Sequence, residues 1–387
     1  MPNFRVLIIH NRYRQPGGED VVAAAQARLL REHGHDVHVF EKDNREIDSY
    51  GLFRKIGLFL KTADNPLAAA DVAKVVREFK PQVAHVHNTL PLLSPSIYAP
   101  LKSAGVKVIQ YLHNYRLLCA AGTLFRDGKP CTLCVDEGVH HAVKHRCWTG
   151  SKLATLAYTR MIERHRRAET WRTHVDRFVA LNRHMRDMMV AKNIVAATQI
   201  LVQPNFLYVD GAGSPGPGEK FVFAARLVPE KGLHTLLRAR DLLGNLALEI
   251  IGDGPLLSRD HKPPYLGHLP HEQTLQHLSE ARALVFPSEW HEGCPSTIIE
   301  AMALGRAVIA SRVAGAEELV QDGVTGLLFE PGNAEALAAC IKRLQDDPGL
   351  AQKLGAAGRQ RYLNEFSPDA GYRRLLENYS QLNVSPA

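Results

Sequence analysis

The stretch Ser288–Pro331 reads SEWHEGCPSTIIEAMALGRAVIASRVAGAEELVQDGVTGLLFEP. A short apolar run just before it, Ala283 to Phe286, predicts a strand that enters a polar loop. The loop ends at Pro295 and a helical pattern begins at Ser296. Proline at the first helical position needs no N–H, and its fixed φ suits the start of a helix. The N–H groups of Ser296, Thr297 and Ile298 would then point toward the loop, with the positive end of the helix dipole behind them. That is an anion site suited to phosphate. Glu292 lies in the loop and Glu300 inside the helix. A carboxylate is a poor phosphate ligand but a good acceptor for sugar hydroxyls, so the pairing suggests a nucleotide-sugar. The competing reading is an ordinary strand–loop–helix unit in which Glu300 only favours the first helical turn.

Outward from this stretch, strand-like runs alternate with helical patterns. In the first half, Phe4–Ile9, Val37–Phe40, Val83–Val86, Val106–Leu112, Asp176–Ala180 and Gln199–Val202 read as strands. Glu19–His33 reads as a helix, with apolar residues at Val22, Ala25, Leu29 and Leu30. A second set follows at Phe221–Ala224, Leu246–Ile251, Ala283–Phe286 and Ala307–Ala310. Such alternation implies parallel sheets with helices on both faces. Between the sets lies DGAGSPGPG, residues 210–218, the most linker-like stretch of the chain. We therefore expect a first domain over 1–203, a linker over 204–219, a second domain over 220–365 and a C-terminal helix over 366–387 that packs back on the first domain. The length of 387 residues and apolar content of 45% suit two full cores. No apolar run reaches the 18 or so residues of a membrane span. The four-residue run Val6–Ile9 is too short for a secretory signal, so a cytoplasmic protein is the default expectation.

After the strand Phe221–Ala224 comes Ala225-Arg-Leu-Val-Pro-Glu-Lys-Gly232. Arg226 and Lys231 flank a turn, so both heads could reach one diphosphate, Arg as a fork and Lys as a point charge. The alternative is two solvated cations in a surface loop. Gly252-Asp-Gly254-Pro follows the next strand but lacks the third glycine of a dinucleotide fingerprint. Pro16-Gly17-Gly18-Glu19 follows the first strand and opens a helix; its glycines let the backbone approach a ligand, unless this is a plain βα turn. No Asp-x-Asp occurs, so a metal-held diphosphate is not expected.

Glu292 and Glu300 are separated by seven residues. With EAMALG (300–305), AVIAS (307–311) and DGVTGLL (322–328), they resemble the E-x7-E region of retaining glycosyltransferases of family 4. The resemblance covers nearly the whole chain and is sharpest from Phe221 to Asn333. It implies the GT-B fold, an α/β architecture of two Rossmann-like doubly wound parallel-sheet domains facing across a cleft. It also implies transfer of a sugar from a UDP- or GDP-linked donor to a saccharide or lipid-linked acceptor, with retention of configuration through an oxocarbenium-like path and no catalytic metal. Cell-surface polysaccharide or lipopolysaccharide synthesis is the implied setting.

Residue by residue, the resemblance assigns Arg226 and Lys231 to the leaving diphosphate. Glu300 takes the ribose hydroxyls, Glu292 the donor sugar, and Gly252 and Gly254 the nucleotide turn. The family loop has Gly where this chain has Ala225. On the acceptor side, Gly17 and Gly18 match the family's cleft loop. His113, ending Val106–Leu112, matches the His that contacts the donor sugar, and His87 matches another strand end. Asn205 matches a P-N-G turn in which Phe206 here replaces Gly. A nucleotide-sugar epimerase or a phosphorylase on the same fold is the alternative enzyme, although no pyridoxal lysine is identifiable.

Four of the six cysteines cluster in a segment expected to be an insertion over 113–150: Cys119, Cys131, Cys134 and Cys147. Cys131-Thr-Leu-Cys134 has knuckle spacing, and four thiolates could close a tetrahedral structural zinc. His140, His141 and His145 could substitute. Unliganded buried thiols and a redox C-x-x-C are the alternatives. Charge is uneven as well. From Lys144 to Arg186, eleven Lys or Arg stand against Glu163, Glu169 and Asp176, an excess larger than the +7 of the whole chain. Leu52, Phe53, Ile56, Phe59 and Leu60 form one helical stripe beside Arg54, Lys55 and Lys61. Basic amphipathic surfaces suit anionic lipid. They are also compatible with a solvated helix beside a half-buried core helix. No nucleic-acid module is recognised. The non-enzyme alternative is a basic, zinc-containing module that binds membrane or nucleic acid.

Overall fold

Continuous apolar runs with no polar alternation belong to strands covered on both faces. Val6, Leu7, Ile8 and Ile9 form such a run, and all four are fully buried. A computed structural model describes residues 3–14, 17–211, 216, 218–257 and 265–386. Of the expected linker, residues 212–215 and 217 lie outside the described residues, as does Pro16 of the first glycine loop.

The strands in chain order are β1 (Arg5–Arg12), β2 (Asp36–Asp43), β3 (Val83–Val86), β4 (Lys107–Leu112), β5 (Phe125–Arg126), β6 (Lys129–Pro130), β7 (Arg177–Ala180) and β8 (Ile200–Val202). They continue with β9 (Phe221–Ala224), β10 (Leu248–Ile251), β11 (Tyr265–Gly267), β12 (Ala283–Phe286), β13 (Ala307–Ser311) and β14 (Leu327–Phe329). One six-stranded sheet has the order β2-β1-β3-β4-β7-β8, and a second the order β11-β10-β9-β12-β13-β14. Every pairing in both is parallel. β5 and β6 form a separate antiparallel hairpin. β11 and β14 were not anticipated, whereas β8, equally short and also at a sheet edge, matches the expected strand Gln199–Val202.

The chain divides into two compact units. The first comprises residues 1–124, 131–204 and 372–387, and the second residues 125–130 and 205–371. The linker expected to begin at 204 is packed in its described early part. Phe206 and Leu207 are buried, the Leu207 N–H donates to the Phe366 carbonyl at 3.0 Å, and the Tyr362 hydroxyl donates to the Leu207 carbonyl at 3.0 Å. An apolar pair in that position is more stable covered than in water. At the other end, Tyr372–Ala387 belongs to the first unit. There the Tyr372 hydroxyl pairs with His35 at 3.0 Å and the Tyr379 hydroxyl with His85 at 2.8 Å.

Strand order reverses between β1 and β3 in the first sheet and between β9 and β12 in the second. In open parallel sheets the helices diverge at such a point, leaving a crevice beyond the carboxyl ends of the strands.

Candidate active site

In the second unit, the loops leaving β9 and β12 lie at that reversal. The Ala225 N–H donates to the Ile251 carbonyl at 3.1 Å and the Leu227 N–H to the Asp253 carbonyl at 2.8 Å, so the loops after β9 and β10 run side by side. Gly252 and Gly254 have φ of +142° and +155°. A Cβ at Gly252 would stand 1.9 Å from the Ala225 oxygen, and one at Gly254 2.5 Å from the Leu227 oxygen. Both glycines are therefore demanded by the packing of this turn against the 225–227 loop.

The loop after β12 closes on the Lys231 turn. The Glu289 N–H donates to the Glu230 carbonyl at 2.9 Å, and the Thr235 hydroxyl to the Glu289 carboxylate at 2.6 Å. Lys231 meets Glu292 through an ion pair of 2.6 Å, with side chains 15% and 8% exposed. The same Glu292 oxygen accepts the Ser288 hydroxyl at 2.8 Å and the Trp290 indole N–H at 2.5 Å. The Lys231 ammonium also lies 5.2 Å from the Trp290 ring centroid. Arg226, by contrast, is exposed and has no ion pair among the described residues. The two cations expected to act alike are thus in different states: Arg226 points to solvent, while Lys231 is held by a buried carboxylate. An ammonium has three N–H donors, so two remain beyond the one aimed at Glu292.

Glu300 is also buried, and His271, the first residue of the His271–Glu280 helix, bonds it at 3.0 Å. That hydrogen bond raises the His271 pKa from its ordinary 6.5. The helix Ser296–Ala303 begins where the sequence suggested, with Pro295 as its cap rather than its first helical residue. The Ile298 N–H donates to the Pro295 carbonyl at 3.2 Å and so is not an open donor. Ser296 and Thr297 head the open turn. Ser288, Trp290 and His271 escaped the sequence reading. Ser288 and Trp290 lie within four residues of Glu292, so the local sequence held their signal, whereas His271 comes from a separate helix.

In the first unit, three His-Asn pairs end three adjacent strands: His10-Asn11 on β1, His87-Asn88 after β3, and His113-Asn114 after β4. His87 Nδ1 and His113 Nε2 are 2.9 Å apart, and the His10 and His87 rings lie edge to face at 5.9 Å. His10 Nε2 is 2.9 Å from the Asp20 carboxylate. Burial lowers the pKa of both His87 and His113, so the pair is neutral near pH 7. His87 Nε2 and His10 Nδ1 are buried with no partner among the described residues. A pocket beside them is lined by Glu19, His113, Asn114 and Arg116 among others. The Glu19 carboxylate accepts the Tyr13 hydroxyl at 2.7 Å. Gly17 and Gly18 cap and open the helix Gly18–Glu32. The Gly17 N–H, expected to be available to a ligand, is taken at 2.7 Å by Asp20. Asn205 precedes the buried Phe206, which packs against Gly371.

All four clustered cysteines are unbridged. Burial, then the nearby Cys119, Cys147 and Cys131, push the Cys134 thiol up to about 11. Among the described residues, no three His, Cys, Asp or Glu side chains are gathered as a bound metal ion requires.

This geometry can be set beside known proteins. The family Glycosyltransferase Family 4 matches residues 16–210, and Glycosyl transferases group 1 matches residues 210–361. Glycogen synthase of Mycobacterium tuberculosis is 33% identical over 165 residues, 39% of this chain and 39% of that protein. The amylovoran biosynthesis glycosyltransferase AmsK of Erwinia amylovora is 30% identical over 182 residues, 42% of this chain and 45% of that protein. The capsular polysaccharide biosynthesis glycosyltransferase CapM of Staphylococcus aureus is 30% identical over 171 residues, 41% and 45% of the two chains. The chain thus spans less than half the length of these relatives. Among solved structures, Anabaena Alr3699/HepE in complex with UDP superposes with a TM-score of 0.65 at 16% identity, over 97% of this chain and all of that one. Sucrose-phosphate synthase from Thermosynechococcus elongatus gives 0.67 at 20% identity, over 98% and 99%. The fold is that of the GT-B glycosyltransferases.

Proposed function

The chain belongs to glycosyltransferase family 4, and from that premise we propose that it moves a sugar from a nucleoside diphosphate donor to a saccharide or lipid-linked saccharide, with retention of anomeric configuration. The observation that carries the reading is the buried Lys231–Glu292 pair at the strand-order reversal of the second unit. It sets a cation and a hydroxyl acceptor side by side where a glycosyl diphosphate needs both.

Arg226 and the remaining Lys231 donors neutralise charge as it develops on the leaving diphosphate, assisted by the N–H groups of Ser296 and Thr297. Glu292 fixes the ammonium and accepts from a donor-sugar hydroxyl. Glu300, steered by His271, accepts the ribose hydroxyls. His113, neutral and bonded to His87, offers a hydrogen bond to the sugar rather than a second positive charge. HepE forms a complex with UDP, which supports a UDP-linked donor for the present chain, with GDP the competitor. The names of the capsule and amylovoran relatives support a cell-surface polymer as product. A lipid-linked acceptor would put the enzyme at the inner face of the cytoplasmic membrane.

The test is a thermal-shift screen of nucleotide-sugars, followed by NMR of the product's anomeric proton. Stabilisation by one nucleotide class and a product of the donor's own anomeric configuration are expected. An inverted product would overturn retention, and indifference to every nucleotide-sugar would overturn the donor site.

A further inference from the structure

The helix Leu52–Lys61 leaves an apolar face largely exposed among the described residues. None of its described side chains is buried, and Phe53, Ile56 and Leu60 are 88%, 51% and 62% exposed. It contains no acidic residue, and its charged side chains are Arg54, Lys55 and Lys61. Water should exclude such a face unless it has another phase to enter.

The fold sets this helix against the basic segment that the sequence singled out separately. It lies beside the helix Lys152–Arg167. The turn that follows it is fastened to that helix by Arg164 to Asp64 at 2.9 Å and by His165 Nε2 to the Ala63 carbonyl at 2.7 Å. The outward side of Lys152–Arg167 opens with Leu153 and Leu156, 69% and 39% exposed. Arg160, Arg164 and Arg167 continue it at three- and four-residue steps, and so share that face. Leu67, 61% exposed, stands at the start of the next helix, Pro66–Phe79. Six of the eleven large hydrophobics exposed among the described residues therefore fall on these three helices. None of the helices is long and apolar enough to cross a membrane.

We infer that this surface docks on an anionic lipid bilayer, the apolar side chains entering the headgroup boundary and the basic ones meeting its phosphates. The mixture of groups selects the occupant. A second copy of the chain would bring an equally basic face against this one, and like charges repel. A nucleic acid offers phosphates but no apolar phase for Phe53, Ile56 and Leu60. The surface of an anionic membrane offers both. The inference rests on the lipid-linked reading of the acceptor only for its purpose, and its test needs neither donor nor acceptor.

The experiment is co-sedimentation of the full chain with vesicles of phosphatidylcholine, with and without phosphatidylglycerol. Binding to the mixed vesicles at low salt, release as salt rises, and little binding to phosphatidylcholine alone are expected. Two variants separate the contributions: Phe53→Ser with Ile56→Ser and Leu60→Ser, and Arg160→Glu with Arg167→Glu. Each should weaken partitioning by about tenfold or more. Melting temperature and the rate of donor hydrolysis should stay at wild-type values, because these side chains are exposed and outside the proposed donor site. Partitioning that ignores lipid charge, or that neither variant reduces, would overturn the inference. So would a dimer in solution that the apolar variant dissociates while vesicles bind nothing. A chain that binds vesicles yet is indifferent to every nucleotide-sugar in the thermal-shift screen would leave the docking face standing and overturn the donor-site reading instead.

Discussion

Removing Arg226 and removing Lys231 are different experiments, although the sequence presents them as twins in one loop. Arg226 is exposed, so Arg226→Ala should lower turnover by at least about tenfold with little change in melting temperature. Lys231 is the partner of a buried carboxylate. Lys231→Ala should lower turnover similarly and also destabilise the fold by on the order of 3 kcal/mol, because Glu292 is left charged and uncompensated. Adding Glu292→Gln should recover part of that stability but none of the turnover. If Lys231→Ala unfolds at the wild-type temperature, the buried pair is not what holds this loop. At Glu300 the coupling is to His271, whose folded pKa is raised. A raised histidine contributes stability that is full below its ordinary 6.5 and is lost as pH rises through the folded value. The melting-temperature difference between wild type and His271→Ala should therefore be largest in mild acid and fade above that value. It should also be small, under about 1 kcal/mol, since His271 faces solvent. A difference that grows with pH would contradict the pairing. The two glutamates were legible because their spacing is local. Their partners were less so: Lys231 and Glu292 are 61 residues apart, and only the meeting of two βα loops joins them.

Elements were legible in proportion to their length and their place in a sheet. The central strands β1, β9, β12 and β13 announce themselves through unbroken apolar runs of four residues, and β3 through one broken only by His85. Of the three-residue edge strands, β8 was read and β11 and β14 were not. The segment from Cys119 to Cys147 is the hardest case, since its elements are a two-residue-per-strand hairpin and the short helices Leu133–Asp136 and His141–His145. Cysteine spacing was visible there, but the directions of the side chains are set by loops with no period. A structural zinc in this segment stays a proposal, and binding would have to draw the four thiols closer than they stand. Elemental analysis of protein prepared without chelator should find about one zinc per chain. Cys131→Ser with Cys134→Ser should lose the metal and lower the melting temperature. Metal-free wild-type protein would mean that the four thiols, one buried and three partly buried, are unliganded.

At the scale of the molecule, the chain leaves its first unit at Pro204 and returns to it at Tyr372. Sequence suggested a terminal helix that packs back on the first domain, but not the side chains it would pair there. Tyr379 is 1% exposed, packs edge-on to Phe4 with centroids 5.1 Å apart, and pairs its hydroxyl with His85 at 2.8 Å. His85 is held on its other nitrogen by Gln26 at 2.9 Å. The returning segment thus supplies a partner to a buried imidazole in the middle of β3. Tyr379→Phe keeps the ring and orphans that nitrogen, which should cost about 1–3 kcal/mol in chemical denaturation. Burial also lowers the His85 pKa from 6.5 to about 3. A depressed base contributes stability that is full above 6.5 and is lost progressively as pH falls toward about 3, because the unfolded chain binds the proton first. Stability should therefore decline as the solution is acidified below 6.5, and His85→Gln, which can still hydrogen-bond at both sides without titrating, should flatten that decline. An acid profile identical in His85→Gln and wild type would show that other groups govern the loss and that the closure by Tyr379 acts through packing alone.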